Sequence, residues 1–392
     1  MILLAIIVGV YIALFVTSPL IAIFHELGHA LAHLILTKPG KIDIYIGSYG
    51  EGKKTIDFRI GKLYFHIKRT FPFVKGIGLC KSDKTGTDYI KRIVILLAGP
   101  VFTVVAAIGI GAIIFNTNAH GLIKLYCFAF MFFSIVSLYV NLRPRTIRNG
   151  KDEYIDNDGK QLLFTLKLKK SYADYITALQ CASIGELELA ILKLEVILKK
   201  LPGEEKILRQ LISYTMYAKH YEKALFYLIQ LEEKSEFSTK DILNKACMQS
   251  LTGHYEESLP NYRLVLKYDA ENLTALNNLA YSLVERGEYE EAQQLLKKAE
   301  NIDPQFYYTY GNLGYLKVLQ GDLETGKSLI DKSTEFDGNN AYTYKALGVY
   351  YLKLKNADMA NECFEKAVEL DKRINLDSYN DEIKALSEQN SP

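Results

Sequence analysis

Six short segments in the second half of the chain line up at a constant step of 34 residues, starting at Gly185, Lys219, Gly253, Gly287, Gly321 and Lys355. A step of that length holds one helical hairpin, and each hairpin can bury its apolar face only against the next. The small residue closing each segment (Ala190, Ala224, Ser258, Ala292, Gly326 and Ala360) lets the two helices of a unit come close. Glycine at 185, 253, 287 and 321 suits the turn between them. Pro202 and Pro304 stand at unit ends, where a helix must stop. The expectation is an α-solenoid of six units over residues 172–388, with residues 378–386 placed to cap it before a polar tail.

The first 140 residues follow a different rule. Residues 2–24 carry no charge, residues 93–115 are a run of 23 uncharged residues, and residues 121–140 contain only Lys124, near an end where it can snorkel. About 20 apolar residues cross a bilayer as a helix. Three membrane helices are therefore expected, at about 3–36, 93–115 and 121–140, the first bent near Thr17-Ser18-Pro19. A cleavable signal peptide fits less well, since no basic stretch precedes the run and its period continues to Leu36. If Pro19 instead begins a second helix, the topology changes.

Orientation follows from the basic residues. Residues 38–92 hold 13 Lys/Arg against 5 Asp/Glu, and Arg143, Arg145, Arg148 and Lys151 follow the third run. The positive-inside rule places both segments, and the repeats after them, in the cytoplasm, with the N-terminus outside a cell membrane crossed three times. Five scattered cysteines with no CxxC suit a reducing compartment. The net charge of +2 gives no pull toward nucleic acid, and no phosphate-loop or nucleophile-elbow motif appears.

One stretch breaks the apolar rule. Phe24-His25-Glu26-Leu27-Gly28-His29-Ala30 puts three polar groups inside the first membrane helix, where they are costly. One helical turn sets His25 and His29 on the same face, able to reach one metal ion, with Glu26 beside them to take a proton from water. This is the HExxH spacing of zinc hydrolases. The bland alternative is a decayed site that keeps the residues without the activity. His33 continues the face, but two turns separate it from His25, so it suits a bundle contact rather than the same ion.

Between the first two runs, Ile42-Asp43-Ile44-Tyr45-Ile46 alternates with period two. Ile56, Phe58 and Ile60, then Leu63, Phe65 and Ile67, do the same across Gly61-Lys62. A small sheet over about 42–68 is expected next to the first helix. It is either a structural cap or an exposed edge that pairs with an extended substrate strand.

The repeats resemble tetratricopeptide repeats. The first 165 residues resemble the site-2 protease family of intramembrane zinc metalloproteases, on three separated motifs. These are His25-Glu26-Leu27-Gly28-His29-Ala30, followed by Tyr45-Ile46-Gly47-Ser48-Tyr49-Gly50; Ala98-Gly99-Pro100; and Asn141-Leu142-Arg143-Pro144 followed by Asp158-Gly159. The resemblance implies that His25 and His29 are Zn2+ ligands, Glu26 the general base and Asp158 the third ligand, leaving a fourth position for water. Thr103 stands where the family often has Asn, and Asp156 competes with Asp158 because the gap from Pro144 is long.

The function expected is intramembrane endopeptidase cleavage of a membrane-spanning protein near the cytoplasmic face. The repeats (172–388) would recruit substrate or regulator as a peptide or protein partner, and the 1–165 domain would lie in the lipid bilayer. The alternative is a catalytically inactive membrane scaffold assembling partners through its repeats. A transporter suits three spans and one polar cluster poorly.

Overall fold

The structure is a computed structural model that describes residues 2–48, 55–69, 78–84, 86–149 and 153–389. Tyr49, Gly50 and Lys151 of the sequence motifs lie outside the described residues. The chain divides into two compact units, Met1–Tyr214 and Thr215–Pro392.

In the first unit, α1 (Ile2–Thr37) runs unbroken through Pro19. At 1.5 Å per residue it is about 54 Å long, well over the ~30 Å of a bilayer's hydrocarbon. The chain then forms β1 (Ile42–Ile46), β2 (Thr55–Ile60), β3 (Leu63–Lys68) and β4 (Gly78–Ser82). Two more apolar helices follow, α2 (Tyr89–Phe115) and α3 (Gly121–Leu142). Asp88 caps α2, its side chain accepting from the Lys91 backbone at 2.9 Å. Among the described residues, three helices are thus long and apolar enough to cross a membrane. Their outward faces are apolar too, with Val105, Ile113, Leu125 and Phe128 all exposed.

The α1–α2 crossing explains two of the sequence's glycines. A Cβ at Gly28 would stand 2.5 Å from the Ala98 carbonyl oxygen and 2.8 Å from Gly99 Cα. Only glycine lets these backbones meet. Thr103 donates its hydroxyl to the Gly99 carbonyl of its own helix at 2.9 Å.

The sheet has the order β2-β3-β1-β4. Ile60 pairs with Leu63 across the Gly61-Lys62 turn, and β1 runs parallel to β3 but antiparallel to β4. Period-two alternation puts Ile42, Ile44 and Ile46 on one face, where they pack with Ala30, Ile23, Leu27 and Leu34 of α1. The hairpin and β1 were legible from their pattern. Strand β4 was not, because Gly78-Leu79-Cys80-Lys81-Ser82 has no alternation. A short antiparallel pair, β5 (Thr146–Asn149) and β6 (Glu153–Asp156), leads into α4 (Asp158–Lys167).

Helix pairs then follow one another: α5 (Tyr172–Ser183), α6 (Leu187–Lys200), α7 (Glu205–Tyr217), α8 (Tyr221–Glu232), α9 (Thr239–Leu251) and α10 (Tyr255–Tyr268). The remaining helices are α11 (Leu273–Glu285), α12 (Tyr289–Ile302), α13 (Tyr308–Leu319), α14 (Leu323–Phe336), α15 (Ala341–Lys353), α16 (Ala357–Leu370) and α17 (Asp377–Gln389). The expected small residues do what their size allows, Ala190, Ala224, Ser258, Ala292 and Ala360 being fully buried. Gly185, Gly253, Gly287 and Gly321 turn the chain at φ 79–87°, and Lys219 and Lys355 adopt the same left-handed turn at φ 60° and 58°. Leu376, Tyr379, Ile383 and Leu386 lay α17 over the end of the apolar core in the second unit.

Candidate metal centre

Two imidazoles and one carboxylate converge in the C-terminal half of α1. His25 and His29, one turn apart, bring their Nε2 atoms to 3.2 Å from each other. Asp158 Oδ2, at the first turn of α4, lies 2.9 Å from His25 Nε2 and 3.4 Å from His29 Nε2. Among the described residues, these three form the one cluster whose atoms could hold a metal ion.

The arrangement fits zinc. Nitrogen and oxygen ligands at about 2.0–2.1 Å from a tetrahedral zinc stand about 3.3–3.4 Å apart; the two separations at His29, 3.2 and 3.4 Å, match that spacing, and the 2.9 Å between His25 and Asp158 is shorter. The tautomer fits as well. His29 Nδ1 donates to the Ile95 carbonyl at 2.7 Å, which leaves the lone pair of neutral His29 on Nε2, facing the cluster. Two nitrogen lone pairs and a carboxylate oxygen so close together repel unless a proton or a cation lies among them. His25 Nδ1 is buried without a partner, so no hydrogen bond fixes the outer side of that ring. Burial alone would raise the Asp158 carboxyl, yet positive charge on the facing His29 and His25 imidazoles, in their protonated forms, holds it well below the usual carboxylate range.

The space is prepared by glycines. A Cβ at Gly99 would fall on His29 Nε2, and one at Gly159 would fall on the Leu142 carbonyl. Glu26 is 5% exposed and lies against β4, where a Cβ at Gly78 would stand 2.5 Å from its Oε1. The Cys80 backbone N–H donates to the Glu26 carboxyl. An edge strand of the sheet therefore passes beside the expected general base.

Asp156 is turned away, accepting from Thr146 Oγ1 at 3.0 Å and pairing with Lys160 at 3.1 Å, so the carboxylate in the cluster is that of Asp158. Asn141 spends its amide on Ser137 of its own helix. His33 is buried outside the cluster.

Asn157 was missed. Its Oδ1 accepts from the backbones of Arg145 and Lys160, each at 3.0 Å. Its amide donates to the carbonyls of Asn141 at 3.0 Å and Arg143 at 2.8 Å. The residue before Asp158 thereby ties the end of α3 to the start of α4. An Asn ahead of a helix is an N-cap signal in the sequence, though its reach back to α3 is not.

Fold and site together define a helical protein in which an apolar unit carries a buried His-His-Asp cluster and the chain continues into a repeat solenoid. Tetratricopeptide-repeat family profiles match residues 251–311 and 341–373, so the chain carries tetratricopeptide repeats. No curated protein matches the chain. Solved structures similar to the repeats include a tetratricopeptide repeat protein from Parabacteroides merdae, at 16% identity over 57% of this chain and 98% of that one, TM-score 0.42. Two others are the thermophilic TPR protein TTC0263 of Thermus thermophilus (19%, 47% and 97%, TM-score 0.36) and MamA of Desulfovibrio magneticus (20%, 43% and 95%, TM-score 0.33).

Proposed function

We propose that this protein is a zinc-dependent intramembrane endopeptidase of the site-2 protease type, with a repeat domain that binds a protein partner or substrate. The observation that supports it best is the convergence of His25, His29 and Asp158, drawn together from positions 133 residues apart, with Glu26 alongside. The repeat profiles bear on the second half alone and support partner binding.

Bound zinc would supply a Lewis acid that polarises the scissile carbonyl and lowers the pKa of the attacking water. Glu26 is placed to take that water's proton and hand it to the leaving amine. Ile95 and Asn157 orient His29 and Asp158. Peptide hydrolysis needs an extended chain, so a membrane-spanning substrate has to unwind locally. Among the described residues β4 is the last strand of the sheet on the side of Glu26, and a substrate strand would be held alongside it. On this reading the loop of residues 38–92 and the repeats are cytoplasmic, and cleavage falls near that face of a cell membrane.

Glu26→Gln keeps the ligands and removes the base. Peptidase activity on co-expressed membrane substrates should fall by about 10²–10⁴-fold while zinc stays bound, and an uncut membrane protein should accumulate in the mutant's membrane proteome. Unchanged cleavage would sink the mechanism.

A second reading, favoured by the repeat matches because partner binding is all they speak for, is a catalytically silent scaffold. It requires no bound zinc.

A further inference from the structure

The helix that opens with Asp158 is held from three sides, one of them α2, whose Arg92 donates to Gln161 Oε1 at 2.6 Å. Asn157 and the Gly159–Leu142 contact fix its start to α3. Its remaining flank is held by the repeats within the same compact unit. Lys160 Nζ lies 3.1 Å from Glu205 Oε2 on α7, and also contacts Asp156 at 3.1 Å and Thr146 Oγ1 at 2.6 Å. At the last turn of α4, Lys167 pairs with Glu204 at 2.8 Å, and Lys206 lies over the Phe164 ring at 5.0 Å. Between α4 and α7 is a cleft of about 120 Å³ lined by Lys160, Phe164, Glu205 and Arg209. The seam is thus polar and incompletely filled, unlike a packed core that admits one arrangement.

We propose that Lys160 is a positioning residue for the metal centre, and that its pair with Glu205 makes α7, the first helix of the second repeat, part of the support of Asp158. The inference rests on the zinc reading above and adds a regulation to it: whatever displaces α7 on the repeats changes how well Asp158 meets the two imidazoles. Lys160 is two residues from the ligand and on the same short helix, so loss of its anchor reaches Asp158 through the rigid first turn of α4. Partly exposed ion pairs contribute little to overall stability, which separates the expected effect on the metal from one on folding.

The test is a double-mutant cycle on the full-length protein in detergent, with zinc affinity read by chelator competition and helicity by circular dichroism. Lys160→Met and Glu205→Gln should each weaken zinc binding by about two- to fivefold, the double variant should lose no more than the worse single, and Lys160→Arg should keep most of the affinity. Arg263→Gln, which breaks the Arg263–Glu291 pair elsewhere in the repeats, should leave it unchanged. Wild-type affinity in Glu205→Gln, or additive losses in the double variant, would overturn the coupling while leaving the zinc reading intact. A wild-type protein that takes up no zinc would overturn that reading and the coupling with it. Should Lys160→Met fail to fold, Glu205→Gln against Lys160→Arg decides the question.

Discussion

Glycine 99 shows how narrowly the centre is drawn. Its missing side chain is the space in which His29 Nε2 stands, while the Ile95 carbonyl one turn earlier holds the other ring nitrogen. Gly99→Ala should therefore push the imidazole out of register. Overpacking of this kind costs about 1–3 kcal/mol, so zinc affinity should fall by about tenfold or more, measured against Gly109→Ala, where a Cβ meets nothing within 4 Å. Equal affinity in the two variants would mean that the ring does not need that space. At this scale the sequence was informative where the chemistry is local. His25, Glu26 and His29 declare themselves by spacing on one helix. Asp158 was reached through likeness to a family, on the Gly159 that follows it, with Asp156 still open, because no spacing or periodicity in the chain itself separates the two carboxylates. The three-dimensional structure separates them by what each touches.

Among the elements, the sheet was half legible. The strands with alternating apolar residues could be read, whereas β4, which brings its backbone to Glu26, pairs with a strand over thirty positions away and leaves no periodic trace. The polar face of the sheet carries a further device. His66 on β3 is bonded at Nε2 to Asp43 of β1 and at Nδ1 to Asp57 of β2, and stacks on Tyr45. Partial burial would lower the His66 pKa, but the two carboxylate bonds outweigh it and raise it. A histidine raised on folding stabilises fully below its unfolded value of about 6.5, and that stabilisation is lost as pH rises through the higher folded value. Amide exchange of β3, corrected for intrinsic rates, should lose protection as pH rises through that window, and His66→Gln should flatten the change. The same pH response in both proteins would remove His66 as its source. The solenoid, by contrast, was legible almost throughout, since a 34-residue step places each small buried residue and each left-handed turn by repetition.

For the molecule as a whole, the repeats are of a kind that generally binds protein partners, and the two readings differ in making the apolar unit attached to them a zinc peptidase or an anchor. The α4–α7 seam gives the peptidase reading a consequence that a plain anchor lacks, because it ties the third ligand to the repeats. Both readings allow the same three apolar helices and the same solenoid. They part at the metal. The most direct measurement is the zinc content of the purified full-length protein by elemental analysis, alongside His25→Ala and Asp158→Ala. The account expects about one zinc per chain in the wild type, as for a set of three protein ligands with an open fourth position, and its loss in both variants. Zinc absent from the wild type, or retained equally by the two variants, would contradict it.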